Sequence, residues 1–140
     1  MGDMNRPRFL PSQSSEDLMF VSGQIPRVDG ELLAKGRLGE DVTLEAGREC
    51  ARQCARNVLG VIEQSHGSLD LITQVLKLTV FVASTPSFEL HPDVADAASD
   101  TFVEALGERG EHARAAIGVA SLPLGVPVEI EAVIAVRRER

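Results

Sequence analysis

The sequence predicts an α+β domain: one sheet in the order β-β-α-β-α-β-β, with both helices on the same face. The first observation is an apolar stripe at helical spacing after Thr43, made of Cys50, Cys54, Val58, Val61 and Ile62. The second is a pair of alternating, β-branched runs at residues 73–82 and 128–136. The third is the order of elements. Each helical stretch lies between strand-like ones, and right-handed crossovers then place both helices on one side.

The chain of 140 residues reads as a single domain, 1–140, with residues 1–7 a flexible or edge segment. Residues up to about 16 are polar and expected to hug the surface or pair as an edge strand. Leu18–Ser22 reads as a strand closed by Gly23, and Asp29-Gly30 as a hairpin turn. Glu31–Arg37 is then the returning strand. Thr43 is a good N-cap with Glu45 in the first turn, and Gly67 a plausible C-terminal cap. In 73–82, alternation puts Leu76, Leu78, Val80 and Val82 on one side and Val75, Lys77, Thr79 and Phe81 on the other. Pro92 opens the second helix, whose apolar stripe runs from Val94 to Leu106 before Gly107. Strands at Arg114–Ala120 and Val128–Val136 complete the order, joined by a Leu-Pro-Leu-Gly-Val-Pro loop.

Bulk properties exclude several function classes. No run approaches the ~18 apolar residues of a membrane span, and the amino terminus lacks the apolar centre of a signal peptide, so a cytoplasmic location is expected. A net charge of −7 opposes phosphate backbones, and the absence of Trp and Tyr leaves few groups to stack on bases. Nucleic acid is a poor first guess. Cys50 and Cys54 share a helix face and read as small buried side chains. The three histidines are scattered, so no metal site is expected.

In the last strand Val128, Ile130, Ala132, Ile134 and Val136 suit the helix-covered face. Glu129, Glu131, Val133 and Ala135 lie on the other. That second face is too apolar for water and too polar for a core, which points to burial between subunits. Arg114 and Glu129 carry the chemistry. An arginine fork holds a carboxylate by two parallel hydrogen bonds, and a glutamate holds or deprotonates a water. From residue types alone two readings stay open: a ligand site, or an interface salt bridge from Arg114 to Glu129 or Glu131. His112, of the same parity as Arg114, is a candidate proton carrier at the cleft mouth, with a surface or strand-capping role as its alternative.

Four segments then carry a family resemblance: Val-Ser-Gly-Gln-Ile-Pro at 21–26, Lys77-Leu-Thr-Val-Phe-Val82, Arg114 with Val119-Ala-Ser-Leu-Pro123, and Val128-Glu-Ile-Glu-Ala132. In this order the chain resembles the RidA (YjgF) family of enamine/imine deaminases, and more nearly a divergent branch of it. The resemblance implies a chorismate-mutase-like fold, a homotrimer with clefts between subunits, and hydrolysis of reactive 2-imino or enamino acids to 2-oxo acids and ammonia without a cofactor. It implies that Arg114 clamps the substrate carboxylate and Glu129 holds the attacking water. Gly23, Ala116 and Phe9 would line the same cleft. Phe9 stands where family enzymes usually have a tyrosine, and Ala116 where they usually have a cysteine. A non-catalytic trimer that binds or senses small carboxylate metabolites is the alternative.

Overall fold

The computed structural model describes residues 8–138. The expectation for residues 1–7 lies outside them. Strands β1 (Ser12–Ser15) and β2 (Leu18–Gln24) form an antiparallel hairpin, and β3 (Arg27–Val28) and β4 (Glu31–Leu32) a small ribbon beside the main sheet. Helix α1 (Leu44–His66), β5 (Ile72–Ala83), α2 (His91–Leu106), β6 (Ala113–Val119) and β7 (Val128–Val136) follow. The sheet order is β1-β2-β7-β5-β6. Among the described strands β5 and β6 are the parallel pair, because the α2 crossover joins them. Both helices cover one face, α1 across β2 and β7, α2 across β5 and β6.

The helix ends follow the chemistry read in the sequence. Thr43 Oγ1 accepts the Ala46 N–H at 3.1 Å, and Gly67 adopts φ 77° while its N–H caps Glu63 O. Losing such an N-cap costs about 1 kcal/mol. In the stripe of α1, Cys50, Cys54, Val58 and Ile62 are buried on the sheet and Val61 is partly buried, while Phe102 of α2 is fully buried between the layers. In β7 the expected alternation holds: Val128, Ile130, Ala132, Ile134 and Val136 are buried, while Glu129, Val133 and Ala135 are half-buried and Glu131 is exposed.

Two expectations change. The returning strand Glu31–Arg37 shrinks to β4, which pairs only with β3, so β1 supplies the outer strand of the sheet instead. The turn itself is as read, with Asp29 at φ 52° and Gly30 at φ 81°. Beyond β4 the chain bends at Leu33 and again at Gly36, φ 122°, where a Cβ would collide with the Asp41 carboxylate oxygens. That carboxylate is committed to the Arg37 N–H at 2.7 Å. Held this way, the segment does not extend the β3–β4 ribbon, and Leu38 instead makes single bridges to Val42 and Ser84.

The second change is in β5. A bulge between Val75 and Lys77 inserts one residue into its pairing with β7. Val75 therefore turns into the core, fully buried, and Leu76 turns out, 39% exposed. Strict alternation placed both on the wrong faces. From Lys77 onward the parity is as read.

Candidate functional site

The sheet carries two clusters of candidate site residues. The first is on the open face, away from the helices. Glu129 of β7 lies opposite Phe81 of β5, and Glu131 opposite Thr79. Beside them β2 bulges between Val21 and Gln24, bringing Gly23 against Glu129. A Cβ on Gly23 would lie 3.0 Å from Glu129 Cδ, so the glycine makes room for the carboxyl group. Burial holds the Glu129 carboxyl above its ordinary pKa, and the nearby Glu131 charge adds to this. Such a group exchanges protons closer to neutral pH than a surface glutamate does. A cavity of about 260 Å³ on this face is lined by Phe20, Lys77, Thr79, Glu131 and Val133.

The second cluster is at the edge strand. Arg114 of β6 pairs in register with Leu78, whose side chain is fully buried under the helices. In a ladder, partners point to the same side, so Arg114 faces α2. Its Nη1 donates to Asp96 Oδ1 at 2.8 Å and to Ser99 Oγ at 3.1 Å. His112 is engaged at both ring nitrogens: Nδ1 lies 2.6 Å from Gly110 O and Nε2 lies 2.8 Å from Ser99 Oγ. The ring edge also meets Phe102, with centroids 6.0 Å apart at 68°. A cavity of about 300 Å³ opens here, lined by Ser99, Val103, Glu111, His112 and Arg114.

Of the site residues read from the sequence, Gly23 and Glu129 come together, and so do Arg114 and His112. The two pairs lie on opposite faces of the sheet. Within one chain Arg114 meets neither Glu129 nor Glu131; its ion pair is with Asp96. Ala116, opposite Val80, shares the helix side with Arg114 and packs against the core. Phe9 precedes β1 and is 70% exposed. Asp96 and Ser99 were not singled out from the sequence. Their signal was present: three residues apart on a helix, they share a face bordering the apolar stripe. What Ser99 meets across the fold was not readable.

Cys50 and Cys54 are buried and unpaired with each other. Burial pushes the Cys50 thiol up to about 11 and the Cys54 thiol well above its ordinary value, which keeps both as unreactive thiols. Among the described residues no His, Cys, Asp and Glu cluster could hold a metal ion. No helix among them is long and apolar enough to cross a membrane.

Comparison with known proteins gives the same lineage. A family model described as "YjgF/chorismate mutase-like, putative endoribonuclease" matches residues 8–131. The chain is 43% identical over 117 residues to Protein TCP17 of Trypanosoma cruzi, covering 83% of this chain and 73% of that protein. Among solved structures it is similar to Atu1372 of Agrobacterium tumefaciens, a protein of unknown function. The TM-score there is 0.91, with 39% identity, 93% of this chain and 82% of that one covered. It is also similar to the YjgF gene product of E. coli, with TM-score 0.67, 27% identity, and 97% and 91% covered. With its motifs in register, its fold of this type and a family match over most of its length, the chain belongs to the YjgF (RidA) family.

Proposed function

We propose that this protein is a hydrolase of reactive 2-imino or enamino acids, which it converts to 2-oxo acids and ammonia in a cleft between subunits of a homotrimer. The observation that carries the reading is Glu129: a half-buried carboxyl, held above its ordinary pKa and given room by Gly23 on a sheet face suited to subunit contact. The substrate supplies its own electrophile, an iminium carbon, so the protein has to orient it and manage protons. Arg114 of one subunit holds the substrate carboxylate. Glu129 of a neighbour takes a proton from water as the water oxygen bonds to the imine carbon and the C=N π pair moves to nitrogen. Glu129 then returns that proton to the amine. The C–N bond breaks, ammonia leaves with the bonding pair, and the hydroxyl of the intermediate gives its proton to the Glu129 carboxylate to become the oxo group. No step calls for a cofactor.

The test couples an amino-acid oxidase to a semicarbazide trap, with wild-type protein or Arg114→Ala added. The expected result is faster loss of trapped imine with wild type. Arg114→Ala should forfeit ~2–5 kcal/mol, roughly 30- to several-thousand-fold in kcat/KM. Its fold should survive, because an exposed ion pair such as Arg114–Asp96 contributes only about 0–1 kcal/mol. Unaltered turnover by that variant would sink the assignment.

A second reading is a binding trimer without turnover. Ala116 and Phe9 favour it, since neither offers a side-chain polar group to a bound substrate. Saturable binding of 2-oxo acids with no imine hydrolysis would select it. The endoribonuclease in the family description finds little support in this chain, whose charge of −7 and lack of Trp and Tyr disfavour a nucleic-acid backbone and stacked bases.

A further inference from the structure

The structure assigns Ser99 and His112 as positioning residues of the Arg114 clamp, an inference that rests on reading Arg114 as the carboxylate holder. With a neutral ring, the hydrogen-bond roles around His112 have one consistent solution. Gly110 O can only accept, so the ring nitrogen 2.6 Å away, Nδ1, carries the proton. In the neutral ring Nε2 is then an acceptor, and the Ser99 hydroxyl donates to it across 2.8 Å. With its proton so directed, Ser99 Oγ turns a lone pair to Arg114 Nη1, 3.1 Å away. The chain runs one way: guanidinium to hydroxyl, hydroxyl to imidazole, imidazole to backbone carbonyl. Every partner's role is fixed by the last.

The geometry also decides which edge of the guanidinium stays available. Asp96 Oδ1 and Ser99 Oγ both take Nη1, so α2 anchors the group by one nitrogen. Nε and Nη2 make no hydrogen bond to the described residues, and together they form the side-on edge that receives a carboxylate bidentately. The cavity of about 300 Å³ lined by Ser99, His112 and Arg114 gives space for a small acid beside it. Because His112 has both nitrogens committed, it acts through Ser99 and Arg114. It does not carry protons to the substrate. A purely structural role, stapling β6 to α2, would produce the same hydrogen bonds but no dependence of ligand affinity on Ser99.

Pyruvate, a small 2-oxo acid, is the probe, titrated calorimetrically into wild type, Arg114→Ala, Ser99→Ala and Ser99→Thr. Wild type should bind. Arg114→Ala should lose binding, Ser99→Ala should weaken it about tenfold or more, and Ser99→Thr should restore it by keeping the hydroxyl. In the imine assay Ser99→Ala should raise KM and leave kcat in place. No binding by wild type, or unchanged binding by Arg114→Ala, overturns the clamp itself and the inference with it. Loss in Arg114→Ala with unchanged affinity in Ser99→Ala overturns the positioning role and leaves the clamp standing. Nitrogen-15 shifts of the His112 ring in wild-type protein read the tautomer without any variant: Nδ1–H is expected, and Nε2–H overturns the assignment.

Discussion

The two candidate clusters are tuned by different means. Glu129 sits in the interior of the sheet, on β7 between β2 and β5, and its neighbours there raise the cost of its charge. Arg114 sits on the edge strand β6, and specific partners on α2 fix where its charge is held. One group is adjusted in energy, the other in direction. Acid–base work needs the first and carboxylate recognition the second. The faces differ as well, and within the one chain the two groups do not meet.

Mixing two variants breaks or sharpens that comparison most. Arg114→Ala and Glu129→Gln, each strongly impaired alone, should regain turnover when unfolded together and reassembled. In randomly mixed trimers with sites between subunits, about a quarter of the sites join an intact Arg114 to an intact Glu129. Recovery near that fraction supports sites built from two chains. If the mixture stays as inactive as its components, the two residues do not serve one shared site.

Glu129→Gln on its own should lower kcat by about 10²-fold, the lower end of general acid–base effects, with little change in KM. The same change should raise the melting temperature at neutral pH. The sign follows from the direction of the shift. The folded-state pKa of Glu129 lies above its ordinary value, so folding disfavours the ionised form. That penalty is fully present above the folded pKa and is relieved as the pH falls through it. The gap in melting temperature between the variant and wild type should therefore close on acidification. Turnover should fall over the same window as the base takes up its proton, an acid limb above the range of an ordinary glutamate. A melting temperature for Glu129→Gln equal to or below that of wild type at neutral pH would contradict the burial argument.

Most of the fold was legible because its signals are local. The α1 stripe with Thr43 and Gly67, the alternation of β7 and the Asp29-Gly30 turn each depend on residues near in sequence. Failures came where a long-range fit overrode the local pattern. Val75 and Leu76 exchange faces because β5 must add a residue to stay in register with β7. The returning strand stops at Leu32, and Gly36 takes its positive φ where Asp41 closes the loop. At the site, residue types and parity singled out Arg114, His112 and Glu129. Which face each strand presents to α2 depends on the sheet order, and strand order is not written in the pattern of any one strand. For the same reason Ser99 became visible only when β6 was laid against α2.

Gly23→Ala is the finest probe of the Glu129 side and should have the smallest effect. No positive φ is required at this position, so the backbone accepts alanine. The new methyl would lie 3.0 Å from Glu129 Cδ and 3.1 Å from Oε2, the movable end of a flexible side chain. The carboxyl group should shift by a few tenths of an ångström, with stability changing by no more than about 0.5 kcal/mol. A displacement of 1 Å can cost about 10²-fold in rate, so this smaller one should cost a few-fold in kcat. The methyl also removes more water from Glu129, which moves its pKa further in the direction burial has already taken it. The acid limb of the pH profile should then shift upward while affinity for 2-oxo acids, which the proposal assigns to Arg114, stays as in wild type. An effect on affinity with no effect on the pH profile would mean that Gly23 serves the ligand directly and not through the carboxyl group beside it.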